Sequence, residues 1–239
     1  MKAVILAAGV GSRLGELTRF KPKCLLTIGD RTIIEYQIEA LKRLGLRSQD
    51  IFVIGGHKFA KLRDFFGGSG VNLIYNAKYD EWNNIYSFYL IRGIREIRGD
   101  FMLLNTDTLF HRRIMEGLSR ELGNGNYIVV DTDKELGAEE MKVIIQDGVV
   151  KRFGKEIDPH EAGGEYIGLS LFNRELIRPV FSTIQDLLSR GLVHLWYEDA
   201  LNRALDRVEI GYVPTFGLPW IEIDTPEDYK RAEEIFHDL

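Results

Sequence analysis

Residues 4–26 read VILAAGVGSRLGELTRFKPKCLL: an apolar run, a stretch broken at Gly9, Gly11 and Gly15, and a second apolar run after Pro22. A short apolar run bounded by glycine suits a strand buried on both faces, as in parallel sheets, and Lys2 to Ala7 is such a run. Cys24 to Ile28 reads as a second strand. A glycine-rich turn after a buried strand turns backbone N–H groups toward an anion. Here the turn also carries Ser12, Arg13, Lys21 and Lys23. Arg13 can fork onto two phosphate oxygens, whereas Lys23 supplies a compact charge. A glycine turn with solvated cations fits the same spacing. Two familiar phosphate fingerprints are absent: no GKS or GKT closes the loop, and GxGxxxG is followed by eight residues and Pro22 instead of opening straight into a helix.

Downstream, Thr32 to Leu44 has Ile34, Ile38 and Leu41 at helical spacing, with Gly45 placed to end the helix. A strand at Ile51 to Ile54, a helix over Lys58 to Phe66 and a strand at Asn72 to Tyr75 continue the alternation. That rhythm predicts an α/β fold with a doubly wound, mostly parallel, Rossmann-like sheet. Asn83 or Asn84 can cap a helix carrying Ile85, Phe88, Leu90 and Ile91, and Phe101 to Leu104 is a buried strand running into NTDT. The rhythm then changes. A helix over Ile114 to Leu122 and a strand at Tyr127 to Val130 precede Lys142 to Phe153, which reads as a hairpin turning at Asp147-Gly148. Tyr166 to Phe172, helices over Arg174 to Ser189 and Trp196 to Leu205, and the strand Val208 to Val213 follow. Tyr229 to Phe236 closes the chain, entered through Thr225-Pro226-Glu227-Asp228. One domain over residues 1–239 is expected, with antiparallel structure added in its second half.

The composition narrows the function. With 239 residues, 45% hydrophobic and 28% charged, the chain has the make-up of a soluble globular protein. A net charge of −5 argues against a nucleic-acid partner. One cysteine excludes an internal disulfide, and His57, His111, His160, His194 and His237 lack zinc-site spacing and read as surface or loop residues. No apolar run reaches the 18 residues of a membrane span, so a cytoplasmic protein is expected.

Two aspartates stand out. Asp107 lies just past FMLL, at the carboxyl end of a strand, where ligands of open α/β sheets bind, although NTDT is also turn composition. Asp224 follows Trp220-Ile221-Glu222-Ile223, and the capping box of Thr225 and Asp228 with Pro226 at the first helical position leaves it free.

LAAGxGSRLxxLTxxxPKCL resembles the signature of nucleotidyltransferases of the sugar-nucleotide pyrophosphorylase type, which move a nucleoside monophosphate from an NTP to a phosphomonoester. The likeness runs from this loop to IEIDTPEDYKRAEE. It implies a GT-A-like fold, with residues 1–110 mainly serving the nucleotide and 111–239 mainly the acceptor. It puts Leu6, Ala7, Ala8, Gly9, Gly11, Ser12 and Arg13 on the nucleotide, Lys23 at the α-phosphate, and Mg²⁺ on Asp107 and Asp224. Many relatives carry GD or DAD where this chain has Asn105-Thr106-Asp107, so Asn105 is a departure.

The glutamine- and glycine-rich base-reading segment of sugar-accepting members is missing. In its place Asn83-Asn84-Ile85-Tyr86-Ser87, preceded by Asn76, resembles the subgroup of phosphocholine and inositol-1-phosphate cytidylyltransferases. Asn76, Asn84 and Ser87 would then read cytosine, though amides and hydroxyls at a helix start equally serve as caps. On the acceptor side the resemblance points to Lys142, Lys155, Glu165, Tyr166 and Gly168, with Lys155 neutralising the acceptor phosphate; a solvated lysine is the plain alternative. Trp82, Tyr86, Trp196, Tyr197, Glu198 and Asp199 put aromatics beside acids, a composition that suits a quaternary ammonium or simply a core.

The expectation is a Mg²⁺-dependent cytidylyltransferase in which Lys23, Arg13 and Lys155 supply catalytic charge. The low count of cysteine and methionine leans toward a heat-adapted source and so toward inositol 1-phosphate as acceptor. Phosphocholine, or a hexose 1-phosphate with another NTP, are the alternatives, and a homodimer is compatible with the resemblance. A non-catalytic nucleotide-binding homologue and a nicotinamide-dependent oxidoreductase are rivals of other classes; Lys21-Pro22-Lys23 counts against the second.

Overall fold

The computed structural model describes residues 1–236; His237 lies outside the described residues. In chain order, β1 (Lys2–Ala7) leads through 3-10 turns at Ser12–Thr18 and Lys23–Leu25 to a small ribbon, β2 (Thr27–Ile28) and β3 (Arg31–Thr32), and then α1 (Ile33–Arg43). There follow β4 (Ile51–Gly55), α2 (Phe59–Phe65), β5 (Asn72–Tyr75), α3 (Asn84–Leu90), β6 (Phe101–Asn105), β7 (Thr108–Phe110) and α4 (Arg112–Ser119). The second half comprises β8 (Asn126–Asp131), β9 (Lys142–Gln146), β10 (Val149–Gly154), β11 (Gly164–Phe172), α5 (Arg174–Ser189), α6 (Tyr197–Asn202), β12 (Ile210–Pro214), β13 (Trp220–Glu222) and α7 (Pro226–Phe236).

Local chemistry sets many of these limits. Thr32 accepts from the Glu35 N–H and the Glu35 carboxylate accepts from the Thr32 N–H at 2.8 Å, a capping box that starts α1. Gly45, at φ +87°, ends that helix with its N–H on the Lys42 carbonyl. Asp147 and Gly148 both adopt positive φ, +52° and +76°, as the two-residue turn between β9 and β10 requires.

The main sheet has the order β5-β4-β1-β6-β11-β8-β12-β10-β9. β5–β4, β4–β1, β1–β6 and β12–β8 pair in parallel; the neighbours of β11, and the pairs β12–β10 and β10–β9, are antiparallel. The expected mostly parallel sheet therefore holds for the first half, and the second half is mixed. A strand buried along its whole length, as β11 is, carries no alternation that would reveal its direction. The second strand expected at Cys24 to Ile28 is also corrected. Pro22 adopts an extended conformation, and the Leu25 and Leu26 N–H groups bond to the Pro22 and Lys23 carbonyls, so the chain turns at Lys23 and leaves only the two residues of β2.

Helices cover both faces, and period-two alternation sorts the core. Val4 and Leu6 of β1 join Ile85 and Phe88 of α3 and the buried residues of α5 and α6. Ala3, Ile5 and Ala7 point to the other face, against Ile34, Ile38 and Leu41 of α1 and residues of α2 and α4. A third cluster joins Leu14 of the glycine loop, Leu26, Leu109 of β7, Ile221, Ile223 and Ala232 and Phe236 of α7. It fastens the C-terminal segment against the loop after β1.

Candidate active site

At the carboxyl ends of β1 and β6 lies a cleft of about 370 Å³, within the size range of small-molecule sites. Its first wall is the loop after β1. Gly11 is left-handed at φ +64°, which favours glycine, and a Cβ there would press on Thr18 Cγ2 at 3.3 Å and touch Lys23 Cβ at 3.4 Å. Thr18 Oγ1 donates to the Gly11 carbonyl at 3.1 Å, which closes the loop on itself.

The opposite corner is built by a ribbon that the sequence did not disclose. β7 pairs antiparallel with β13, Thr108 facing Glu222, and the Ile223 N–H donates to the Asp107 carbonyl at 2.9 Å. Asp107 and Asp224 thereby meet. Lys23 is inserted between them, its Nζ donating to Asp224 Oδ1 at 2.6 Å and Asp107 Oδ2 at 3.2 Å, and Arg13 also pairs with Asp224. The Lys23 side chain is only 8% exposed. Burial by itself would lower the ammonium pKa, yet Asp107 and Asp224 outweigh it and hold the pKa above its ordinary value. Burial would likewise raise the Asp224 pKa, but Lys23, Arg13 and Lys155 bring it below the usual carboxylate value.

One carboxylate oxygen each from Asp107, Glu222 and Asp224 lie within 4.8 Å of one another. Asp107 Oδ1 is buried without a hydrogen-bond partner. An orphaned carboxylate oxygen in an all-oxygen set suits a hard divalent cation such as Mg²⁺, so these residues fit the ion that the resemblance implies. Glu222 is open to cleft water, yet the enclosing walls, and then the charges of Asp107 and Asp224, push its pKa up to about 8. Water access moderates the first cause; the neighbouring charges fix the direction. Sequence reading passed over Glu222, although Glu222 and Asp224 are two apart on an extended segment and so share a face.

All twelve residues expected at the nucleotide (Leu6, Ala7, Ala8, Gly9, Gly11, Ser12, Arg13, Lys23, Asn76, Asn84, Ser87 and Asp107) border the cleft. The amides expected to read the base are partly committed to the protein. Asn83 is the N-cap of α3, Asn76 Nδ2 donates to Ser87 Oγ at 2.9 Å, and Asn84 Oδ1 accepts from the Tyr197 N–H at 3.0 Å, tying α3 to α6.

Of the residues expected at the acceptor, Lys155, Tyr166 and Gly168 line the cleft, whereas Lys142 and Glu165 do not. Lys142 is fully buried, with Nζ donating to the carbonyls of Gly137 at 2.7 Å and Glu140 at 3.3 Å. Glu165 accepts from Lys134 Nζ at 2.7 Å. The two sit opposite each other on β9 and β11, and their bonds to Lys134, Gly137 and Glu140 hold the 132–141 loop. That loop contributes Glu139 and Met141 to the cleft, which no sequence signal indicated. Lys155 Nζ lies 3.7 Å from Glu139 and 5.0 Å from the Trp196 ring centroid.

Of the aromatics and acids noted in the sequence, Trp82, Trp196 and Glu198 face the cleft. Tyr197 is core, stacked on Phe88 with centroids 5.1 Å apart, and Asp199 accepts from the Trp196 N–H. Glu198 is 4% exposed, its Oε2 has no partner, and burial pushes its pKa up to about 8. Gly168, at φ +78°, sits where β11 shifts register; a Cβ there would lie 2.7 Å from Asn105 Nδ2.

Comparison with known proteins identifies the family. The family model for the MobA-like NTP transferase domain matches residues 3–196. The chain is 29% identical over 239 residues to the choline-phosphate cytidylyltransferase of Streptococcus pneumoniae (strain ATCC BAA-255 / R6), covering 98% of each protein. A solved structure of CTP:phosphocholine cytidylyltransferase from Streptococcus pneumoniae matches with a TM-score of 0.79 and 28% identity over 98% of each chain. The inositol-1-phosphate CTP transferase of T. maritima matches with a TM-score of 0.81 over 100% of this chain and 97% of its own, at 20% identity, a likeness of fold alone. No helix among the described residues is long and apolar enough to cross a membrane.

Proposed function

The chain belongs to the MobA-like NTP transferase family, and we propose that it is a cytidylyltransferase moving CMP from CTP to a small phosphomonoester with release of pyrophosphate. The observation that carries this reading is Lys23, buried and shared between Asp107 and Asp224 beside the glycine loop. A cation so held has two carboxylates to leave and a phosphate to meet.

In this reading an oxygen of the acceptor phosphate attacks the α-phosphorus of CTP in line. A bond forms between that oxygen and phosphorus, the bond to the α,β-bridging oxygen breaks, and its electron pair leaves with pyrophosphate. Amides of the Gly9 to Ser12 turn and Arg13 receive the triphosphate, Lys23 follows the charge that builds at the α-phosphoryl oxygens, and Lys155 holds the acceptor phosphate. Asp107 and Asp224, with Glu222 beside them, would hold Mg²⁺, which when bound supplies charge neutralisation for the triphosphate. No protein nucleophile is needed, because positioning and preorganised charge carry phosphoryl transfer. Asn76, Asn84 and Ser87 form the end where a cytosine fits.

For the acceptor, Trp82 and Trp196, with the Glu139 carboxylate on the same cleft, favour a cationic head group, and phosphocholine is the first candidate. Inositol 1-phosphate is the second reading, supported by the carboxyls of Glu139 and Glu198, which can accept from ring hydroxyls. A pyrophosphate-release screen tests both, pairing CTP, UTP, dTTP, ATP and GTP with phosphocholine, inositol 1-phosphate, phosphoethanolamine and hexose 1-phosphates. CTP with phosphocholine is expected to be fastest. Preference for UTP or dTTP with a hexose phosphate would overturn the cytidylyl assignment, and CTP binding without turnover on any acceptor would favour a non-catalytic homologue.

A further inference from the structure

Gln37 lies on the inward side of α1, between Ile34 and Leu41, and is 1% exposed. A polar amide is costly in that position unless its hydrogen bonds are made. Its Nε2 donates twice, to the Asn105 carbonyl at 2.8 Å and to the Thr108 carbonyl at 2.9 Å, while its Oε1 is buried without a partner, so the two donated bonds are what the amide gains there. Those carbonyls are the last of β6 and the first of β7, and the turn between them is Thr106-Asp107. One side chain thus grips both flanks of the residue whose carboxylate faces Lys23.

The rest of the turn is tethered by different means. The Thr106 N–H donates to the Leu6 carbonyl at 3.1 Å, Thr108 Oγ1 donates to the Ile167 carbonyl at 2.8 Å, and the Asp107 carbonyl is taken by Ile223. Gln37 adds a link to α1, the helix that follows the Lys23 turn after the short β2–β3 ribbon and whose first residue, Ile33, donates its N–H to the Leu26 carbonyl at 3.0 Å. The separation of Lys23 from Asp107 is therefore fixed through α1 as well as through the sheet.

We propose that Gln37 is a positioning residue of the nucleotidyl-transfer site, whose paired hydrogen bonds to the Asn105 and Thr108 carbonyls set the Asp107 carboxylate for the divalent cation. This rests on the reading of Asp107 as a metal ligand. Gln37→Met keeps length and apolar packing but removes both donors. Gln37→Glu, neutral in so enclosed a place, keeps one. Partners that orient metal ligands from outside typically contribute about 10- to 100-fold in affinity.

The test is direct Mn²⁺ binding in the presence of CTP, read by electron paramagnetic resonance, with thermal melting run alongside. The Mn²⁺ dissociation constant is expected to rise about tenfold or more in Gln37→Met and less in Gln37→Glu. If Gln37→Met does not fold, the Gln37→Glu shift carries the same test. A variant that melts earlier but binds Mn²⁺ like the wild type assigns Gln37 to core packing and overturns the proposal. Wild-type enzyme that takes up no Mn²⁺ beyond that bound by CTP itself removes Asp107 as a metal ligand, and Gln37's role with it; that failure shows before any variant is made.

Discussion

Lys23 holds the two halves of the cleft together, and its environment states what it can do. Two carboxylates keep it charged despite burial, so a triphosphate entering the cleft meets a full positive charge in a water-poor corner, where a charge is worth more than in bulk water. Lys23→Ala is expected to cut turnover at least about a hundredfold, the scale for removing one preorganised group from a charged transition state; steady-state pyrophosphate release measures it. Near-normal turnover would remove Lys23 from the mechanism. Residues of the cleft are legible in the sequence where they sit in one contiguous motif, as Gly9, Gly11, Ser12, Arg13 and Lys23 do, or follow a local signal, as Asp224 does beside its capping box. That Lys142 and Glu165 stand outside the cleft lining is not legible, for the opposite reason. Which face of a strand a residue takes depends on register, and β11 shifts register between Tyr166 and Ser170. Turning Lys142 onto carbonyls of its own loop is a tertiary choice with no local mark.

At the scale of elements, the hairpin of β9 and β10 was readable because Asp147-Gly148 fixes its turn chemistry locally, and α1 because its cap is written in Thr32 and Glu35. The β7–β13 ribbon was not. Three-residue strands leave too few positions for a pattern, and Thr108 and its partner Glu222 are separated by about half of the chain. That ribbon nevertheless builds the acidic corner, and the shift in β11 completes it from the far side. Gly168 is the tight point, combining positive φ with an Asn105 amide too close for any Cβ. Gly168→Ala is expected to destabilise the fold by about 1–3 kcal/mol, the cost of a side chain held in a sparsely populated conformation, and to displace Asn105. Urea unfolding measures the first effect. A change within experimental scatter would mean that β11 relaxes without strain.

Over the whole molecule, the glycine loop and the C-terminal segment come from opposite ends of the sequence, 201 residues apart at Lys23 and Asp224, and the cluster of Leu14, Leu26, Ile221, Ile223 and Phe236 holds them in contact. The alternating first half made one wall of the cleft, the proposed nucleotide side, legible because βα repeats put each loop at the same sheet edge. The mixed second half concealed most of the opposite wall, since Glu139, Met141, Trp196 and Glu198 reach the cleft from separate segments. The central claim is that the acceptor's own phosphate oxygen attacks the α-phosphorus of CTP at the junction of these walls. Turnover of CTP with Mg²⁺ and phosphocholine carrying ¹⁸O in its phosphate, followed by ³¹P NMR, tests it. The expected result is a diphosphate product that keeps every labelled oxygen, including the one bridging to the cytidylyl phosphorus, and unlabelled pyrophosphate. Label in the pyrophosphate, or free CMP with the phosphocholine untouched, would contradict it.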